Sequence, residues 1–233
     1  MAYYYAPGTN AYLPPQEAFS RSARYHDSFL IAPDDALMFA QKNTTANGLP
    51  EIAVSPAEGK LLHLVACSIG AKRILEIGTL GGYSSIWFGR AVGEGGEVVT
   101  CELNAKHVQV ARENIVKAGL GNVVKVVEGS AIESLAKMES GDAPFDLVFI
   151  DADKENNLPY FLEAKRLTRK GAVIIVDNTV REGQVADLSN TAAPHVGTRK
   201  LLAHLKEDTE VSATTISTIG ERMWDGFTYI LKF

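Results

Sequence analysis

The sequence predicts an α/β fold: a doubly wound, mostly parallel sheet of about seven strands with a C-terminal antiparallel hairpin, preceded by N-terminal helices. Three observations carry that expectation. From Arg73 onward, strand-like runs alternate with helix-length segments, the pattern of linked β–α–β units. Two of those runs, Leu147–Ile150 and Ala172–Val176, are apolar without interruption, as strands buried on both faces are. Near the end, Val211–Ile219 and Gly226–Lys232 are separated by a turn too short for a crossover, so they should pair antiparallel.

In chain order, Met1–Gln16 holds Tyr3, Tyr4, Tyr5, Tyr12 and Pro14-Pro15 and reads as an irregular arm. Residues from about Glu17 to Asn43 read as helical pieces broken at Pro33, with Asp34 and Asp35 in the first turn of the second piece. Ser55-Pro56-Ala57-Glu58 opens another helix, with Ser as N-cap, Pro at the first helical position and Glu closing a capping box. These opening helices are expected to cover a sheet edge or a ligand mouth. Strands follow at Arg73–Ile77, Val98–Cys101, Val123–Val127, Leu147–Ile150 and Ala172–Val176. Helices lie between them near Tyr83–Val92, Ala105–Ala118, Ala131–Lys137 and Glu155–Thr168. Asn104 is a natural N-cap for the second of these, and Gly119 and Gly121 stop it. A loop over Thr179–Ala193 leads to a helix near Thr198–Lys206.

The 233 residues suffice for one sizeable domain with a full core. A formal net charge of −5, with no long basic run, argues against nucleic acid as the main partner. Cys67 and Cys101 each sit in an apolar segment and are expected to be buried, reduced thiols, as in a cytoplasmic protein. No run reads as long enough to span a bilayer, so no membrane partner is expected. The five histidines form no ligand spacing.

The chemistry concentrates where the buried strands end. Leu147–Ile150 runs into Asp151-Ala152-Asp153-Lys154, and Ala172–Val176 runs into Asp177-Asn178. A strand, a crossover helix and a parallel strand set these ends side by side, at the sheet edge where open α/β folds bind ligands. Charges there are costly unless something uses them, which points to a metal and substrate site with Lys154 beside it. Asp153 reads as a helix-capping residue. The first strand turns into its helix through Gly78-Thr79-Leu80-Gly81-Gly82. That spacing is not the G-x-G-x-x-G of dinucleotide sites, and Glu76 would repel a pyrophosphate, which disfavours a nicotinamide dehydrogenase. Glu102 ends the second strand, where an acid commonly accepts hydrogen bonds from a ribose. A positively charged nucleoside fits this acid-rimmed turn, and S-adenosylmethionine (SAM) is such a molecule.

Glu76–Ser84, Phe149–Lys154, Asp177-Asn178 and Trp224-Asp225-Gly226-Phe227, in this order and spacing, resemble the cation-dependent SAM O-methyltransferases of the catechol and caffeoyl-coenzyme A types. The resemblance covers Val54 to the C-terminus and implies a Rossmann-like methyltransferase domain over 54–233, with 1–53 covering the site or a dimer contact. It implies that Val54, Glu76, Gly78, Thr79, Ser84, Glu102, Ala131 and Asp151 line the SAM pocket. It places a divalent cation, Mg²⁺ before Ca²⁺ or Mn²⁺, on Asp151, Asp177 and Asn178, makes Lys154 the base and turns Asp225 toward the substrate. It also implies a homodimer and a small phenolic acceptor. Where plant caffeoyl-coenzyme A enzymes carry a basic segment, this chain has Ala32-Pro33-Asp34-Asp35-Ala36, so an acidic entrance points to a free phenol. Trp224 reads either as an aromatic wall or as a core anchor. Metal-independent transfer to another acceptor and SAM binding without turnover are the competing readings.

Overall fold

In a computed structural model, residues 15–139, 141, 143–219 and 224–233 are described. The tyrosines of the N-terminal arm and residues 220–223, where a turn was expected, lie outside the described residues. Seven strands form one sheet in the order β3-β2-β1-β4-β5-β7-β6. They are β1 (Arg73–Ile77), β2 (Glu97–Glu102), β3 (Val124–Glu128), β4 (Phe145–Ile150), β5 (Thr168–Val176), β6 (Val211–Ile219) and β7 (Trp224–Lys232). The first five run parallel, and β7 enters antiparallel against β5 and pairs with β6, the expected C-terminal hairpin.

Side-chain alternation along buried strands sorts the core into two layers. Ile74, Val98, Leu147, Phe149, Val173 and Ile175 pack on the side of α2 (Asp35–Ala46), α3 (Pro56–Ser68), α4 (Tyr83–Val92) and α5 (Ala105–Lys117). Leu75, Ile77, Val148, Ile150, Ile174 and Val176 face α6 (Ala131–Lys137), α7 (Asn157–Leu167) and α8 (Ala193–Glu207). Because both faces are covered, the central strands read as continuous apolar runs. The first helix, α1 (Pro15–Leu30), leaves Tyr25, Phe29 and Leu30 exposed.

Helix starts follow side-chain chemistry. The Ser55 hydroxyl accepts the Glu58 N–H at 3.2 Å while the Glu58 carboxylate accepts the Ser55 N–H at 2.9 Å, the expected capping box on α3. Asn104 caps α5 as expected. Asp34 is the N-cap of α2 rather than a residue of its first turn. The α8 helix begins at Ala193, five residues before the expected Thr198, because Pro194 suits a first turn that needs no N–H. Cys101 is buried as expected, but Cys67 is exposed on α3. Among the described residues, no helix is long and apolar enough to cross a membrane.

Candidate active site

The strand order reverses between β1 and β4, and the crevice for a ligand opens at their C-terminal ends. On one side lies the glycine turn. Gly78 has a φ of +101°, and a Cβ there would come within 2.2 Å of the Asp151 carbonyl oxygen, so only glycine lets the turn pass this close to β4. A Cβ on Gly81 would meet the Thr44 hydroxyl at 2.1 Å, so α2 braces the same turn. Asn114, fully buried on α5, ties the two together by donating to the Gly81 carbonyl at 2.8 Å and to the Thr44 hydroxyl at 3.3 Å.

Glu76 is enclosed completely beneath this turn. The Ser84 hydroxyl donates to one carboxylate oxygen at 2.5 Å, and the Ser85 and Thr100 hydroxyls donate to the other. Thr79 shares a 2.6 Å hydroxyl contact with Thr100. Burial pushes the Glu76 carboxyl up to about 7, with the Asp151 charge adding, although the three hydroxyls pull the other way. Glu76 therefore stands under the glycine turn rather than on its rim. Glu102 accepts the N–H groups of Thr79 at 3.3 Å and Leu80 at 2.9 Å, so its carboxylate shapes the turn from the β2 side. His107 lies 3.4 Å from its other oxygen. Ala131 opens α6 immediately after Ser130, whose hydroxyl caps that helix.

On the other side stand the strand-end acids. The register pairs Ile150 with Val176, and the Asp177 N–H donates to the Ile150 carbonyl at 3.0 Å, which sets Asp151 and Asp177 on neighbouring strand ends. Lys154, in a single 3₁₀ turn after β4, is buried, and its ammonium donates to Asp151 Oδ1 at 2.7 Å. Burial holds the Asp177 carboxyl well above the carboxylate range; the charges of Asp151 and Glu58 add to this and Lys154 opposes it. Glu58 and Asp177 form the polar wall of a cavity of about 310 Å³, whose other walls include Val54, Leu61, Phe149 and Ile175. Val54 therefore lies beside the acids. Asp153 accepts from the Tyr160 hydroxyl at 2.5 Å and makes no side-chain cap bond.

Asp225, near the start of β7, is buried, and its carboxylate takes the N–H groups of Val180, Arg181 and Gly226 and the side-chain amide of Asn178, which ties it to the loop after β5. With Nδ2 bonded to Asp225, the Asn178 amide oxygen accepts from Arg181 Nη2 at 3.2 Å. Trp224 is half exposed and packs beside Gly183, so it is not a core anchor. Asp34 forms a 2.7 Å ion pair with Arg90, so one charge of the expected acidic entrance is neutralised within the fold. Ser85, Thr100, Glu58, Asn114 and Arg181 escaped the sequence reading. Only Ser85, doubling Ser84 opposite a strand-end acid, carried a readable signal. Among the described residues, no group of three or more His, Cys, Asp or Glu side chains is arranged to hold a metal, and the candidate set is two carboxylates and an amide.

A seven-stranded sheet of this order, with a glycine turn after β1 and acids at the β4 and β5 ends, is the class I methyltransferase architecture. The model of the O-methyltransferase family matches residues 31–233, and the chain belongs to that family. It is 48% identical over 205 residues to a catechol O-methyltransferase of Mycobacterium tuberculosis, covering 88% of this chain and 92% of that protein. It is 42% identical over 211 residues to a catechol O-methyltransferase of Niastella koreensis, covering 90% and 96%. Among solved structures it resembles the O-methyltransferase from Bacillus cereus in complex with SAH, with a TM-score of 0.90 and 42% identity over 94% of this chain and all of that one. It also resembles TomG from Streptomyces achromogenes in complex with SAM, with a TM-score of 0.91 and 40% identity over 94% and 99%.

Proposed function

We propose that this chain transfers a methyl group from SAM to a hydroxyl of a catechol-like acceptor, using a divalent cation held by Asp151, Asp177 and Asn178. The carrying observation is the pair of carboxylates on adjacent strand ends, Asp151 and the half-buried Asp177, with the ammonium of Lys154 beside them. Two carboxylates and an amide oxygen are hard donors, suited to Mg²⁺ and, with looser geometry, Ca²⁺ or Mn²⁺. Such a cation, when bound, lowers the pKa of a phenol and orients two vicinal oxygens. The relatives named catechol O-methyltransferase support that acceptor class.

The chain's own groups divide the remaining tasks. Lys154 is placed to take the phenolic proton, because its nitrogen is buried against the cation site and three residues from Asp151. The glycine turn, Glu76, Thr79, Ser84 and Glu102 would hold SAM, with Glu102 exchanging its bonds to the turn for ribose hydroxyls. The apolar cavity beside Asp177 suits an aromatic ring.

The test is methyl transfer from SAM to a panel of catechols and mono-phenols with Mg²⁺ or with EDTA. Methylated catechol that disappears with EDTA and in Asp151→Ala is the expected result. Activity indifferent to EDTA would sink the cation role of Asp151, Asp177 and Asn178.

A further inference from the structure

The loop leaving β5 is built at a cost. Asn178, Arg181 and Glu182 have φ values of +57°, +49° and +53°, a conformation that residues with side chains rarely adopt. Asp225 holds them there: one of its oxygens accepts the Val180 N–H at 3.2 Å and the Arg181 N–H at 2.8 Å, and the other accepts Asn178 Nδ2 at 3.1 Å. Strain maintained by a buried carboxylate fixes the loop's backbone, and it returns the Arg181 side chain to the site. Arg181 Nη2 donates to Asn178 Oδ1 at 3.2 Å, and its Nε lies 3.6 Å from Asp225 Oδ2. Among the described residues these are its side-chain partners.

The two cations at the site are held very differently. Lys154 is buried and clamped on Asp151 at 2.7 Å. Arg181 is about one third exposed and touches Asp225 only at the longer distance, because four N–H groups already occupy that carboxylate. Its one hydrogen bond goes to the amide oxygen that the proposed cation would use. Two positive groups at one oxygen repel, so cation binding would drive the guanidinium off Asn178 and toward the mouth. An Arg released there presents paired N–H donors, a geometry that matches a carboxylate. Glu58, on the wall of the same cavity, would otherwise repel a negatively charged acceptor.

We propose that Arg181 is a specificity residue that moves from Asn178 to pair with a carboxylate on the ring of the acceptor, which makes anionic catechols the preferred substrates. This rests on the cation-dependent reading above. The test is calorimetric binding of 3,4-dihydroxybenzoate and of catechol to the wild type, Arg181→Met and Arg181→Lys, each with Mg²⁺ and S-adenosylhomocysteine, alongside initial rates.

The wild type should favour 3,4-dihydroxybenzoate. Arg181→Met should weaken that ligand roughly tenfold to a hundredfold, the effect of losing a charged hydrogen bond. It should leave catechol within about twofold and Mg²⁺ affinity unchanged or tighter, and Arg181→Lys should recover part of the loss. Equal losses for both ligands would overturn the proposal and make Arg181 a loop-shaping residue. An unchanged affinity for 3,4-dihydroxybenzoate would overturn it as well. A wild type that binds the ligands with the predicted preference but methylates neither, or does so in EDTA, would instead overturn the cation-dependent reading. Failure to bind either ligand would overturn both.

Discussion

Glu76 is a carboxylate surrounded by the fold, and its protonation is coupled to stability. Its ordinary value is 4.5, and in the folded chain burial raises it to about 7. Between those values the folded state binds a proton that the unfolded chain has released. The stabilisation is therefore complete below about 4.5 and is lost as pH rises through 7. The difference corresponds to about 3 kcal/mol as an order of magnitude for this enclosed group. Asp177, also raised, adds a trend of the same sign. Denaturant midpoints at pH 5 and pH 8 should fall with rising pH in the wild type and fall less in Glu76→Gln. An equal fall in both proteins would mean that Glu76 does not titrate in this range. The sequence showed an acid at the end of β1, but its surroundings come from Ser84, Ser85 and Thr100, which lie on two other elements. No local pattern carries that convergence. Arg181 was hidden for a related reason: it reaches Asn178 only through a left-handed backbone that a residue with a side chain does not announce.

Elements were legible where a single physical rule decides them. The bounds of β1, α4 and α6 match expectation because glycine or polar caps bracket them, and those of β6 match through its β-branched Val, Thr and Ile residues. The start of α8 was not legible, since Ala192 caps it without a side-chain bond. This helix sets the position of Lys154, the proposed base. A Cβ on Gly197 would lie 2.3 Å from the Lys154 carbonyl oxygen and 2.5 Å from the Glu155 Cα, so the helix and the Lys154 turn touch backbone to backbone. Gly197→Ala should push that turn outward, lowering kcat roughly tenfold to a hundredfold by misplacing the amine. SAM affinity should stay within about twofold, because the glycine turn packs against α2 on the opposite face of the sheet. Initial rates beside calorimetric SAM binding check this. Unaltered kcat in a folded variant would remove Lys154 from the reaction.

For the whole molecule, the two halves of the site meet through the β1–β4 pair. The Asp151 N–H donates to the Ile77 carbonyl at 2.8 Å, and Gly78 passes against the Asp151 carbonyl, so the glycine turn and the proposed cation ligands share one backbone junction. Gly78→Ala should therefore weaken SAM and Mg²⁺ binding together, each by roughly tenfold or more, given the clash and the positive φ. Separate titrations of the two ligands would show it, and loss of one alone would mean the junction is not shared. The side-by-side ends of β4 and β5 were legible from the alternation of strands and helices and from the acids that close both strands, but the β1–β4 pairing that builds the junction was not. The inward turn of Asp225 was not, since it depends on where the loop after β5 folds back. The most direct measurement is a calorimetric titration of Mg²⁺ into the wild type and into Asp177→Asn near pH 7, in buffers of different ionisation enthalpy. The wild type should bind one Mg²⁺ with release of a proton, because burial holds Asp177 above the carboxylate range and a ligand must lose its proton to bind. Affinity and proton release should both fall in the variant. Equal Mg²⁺ binding by the two proteins, or none by the wild type, would contradict it.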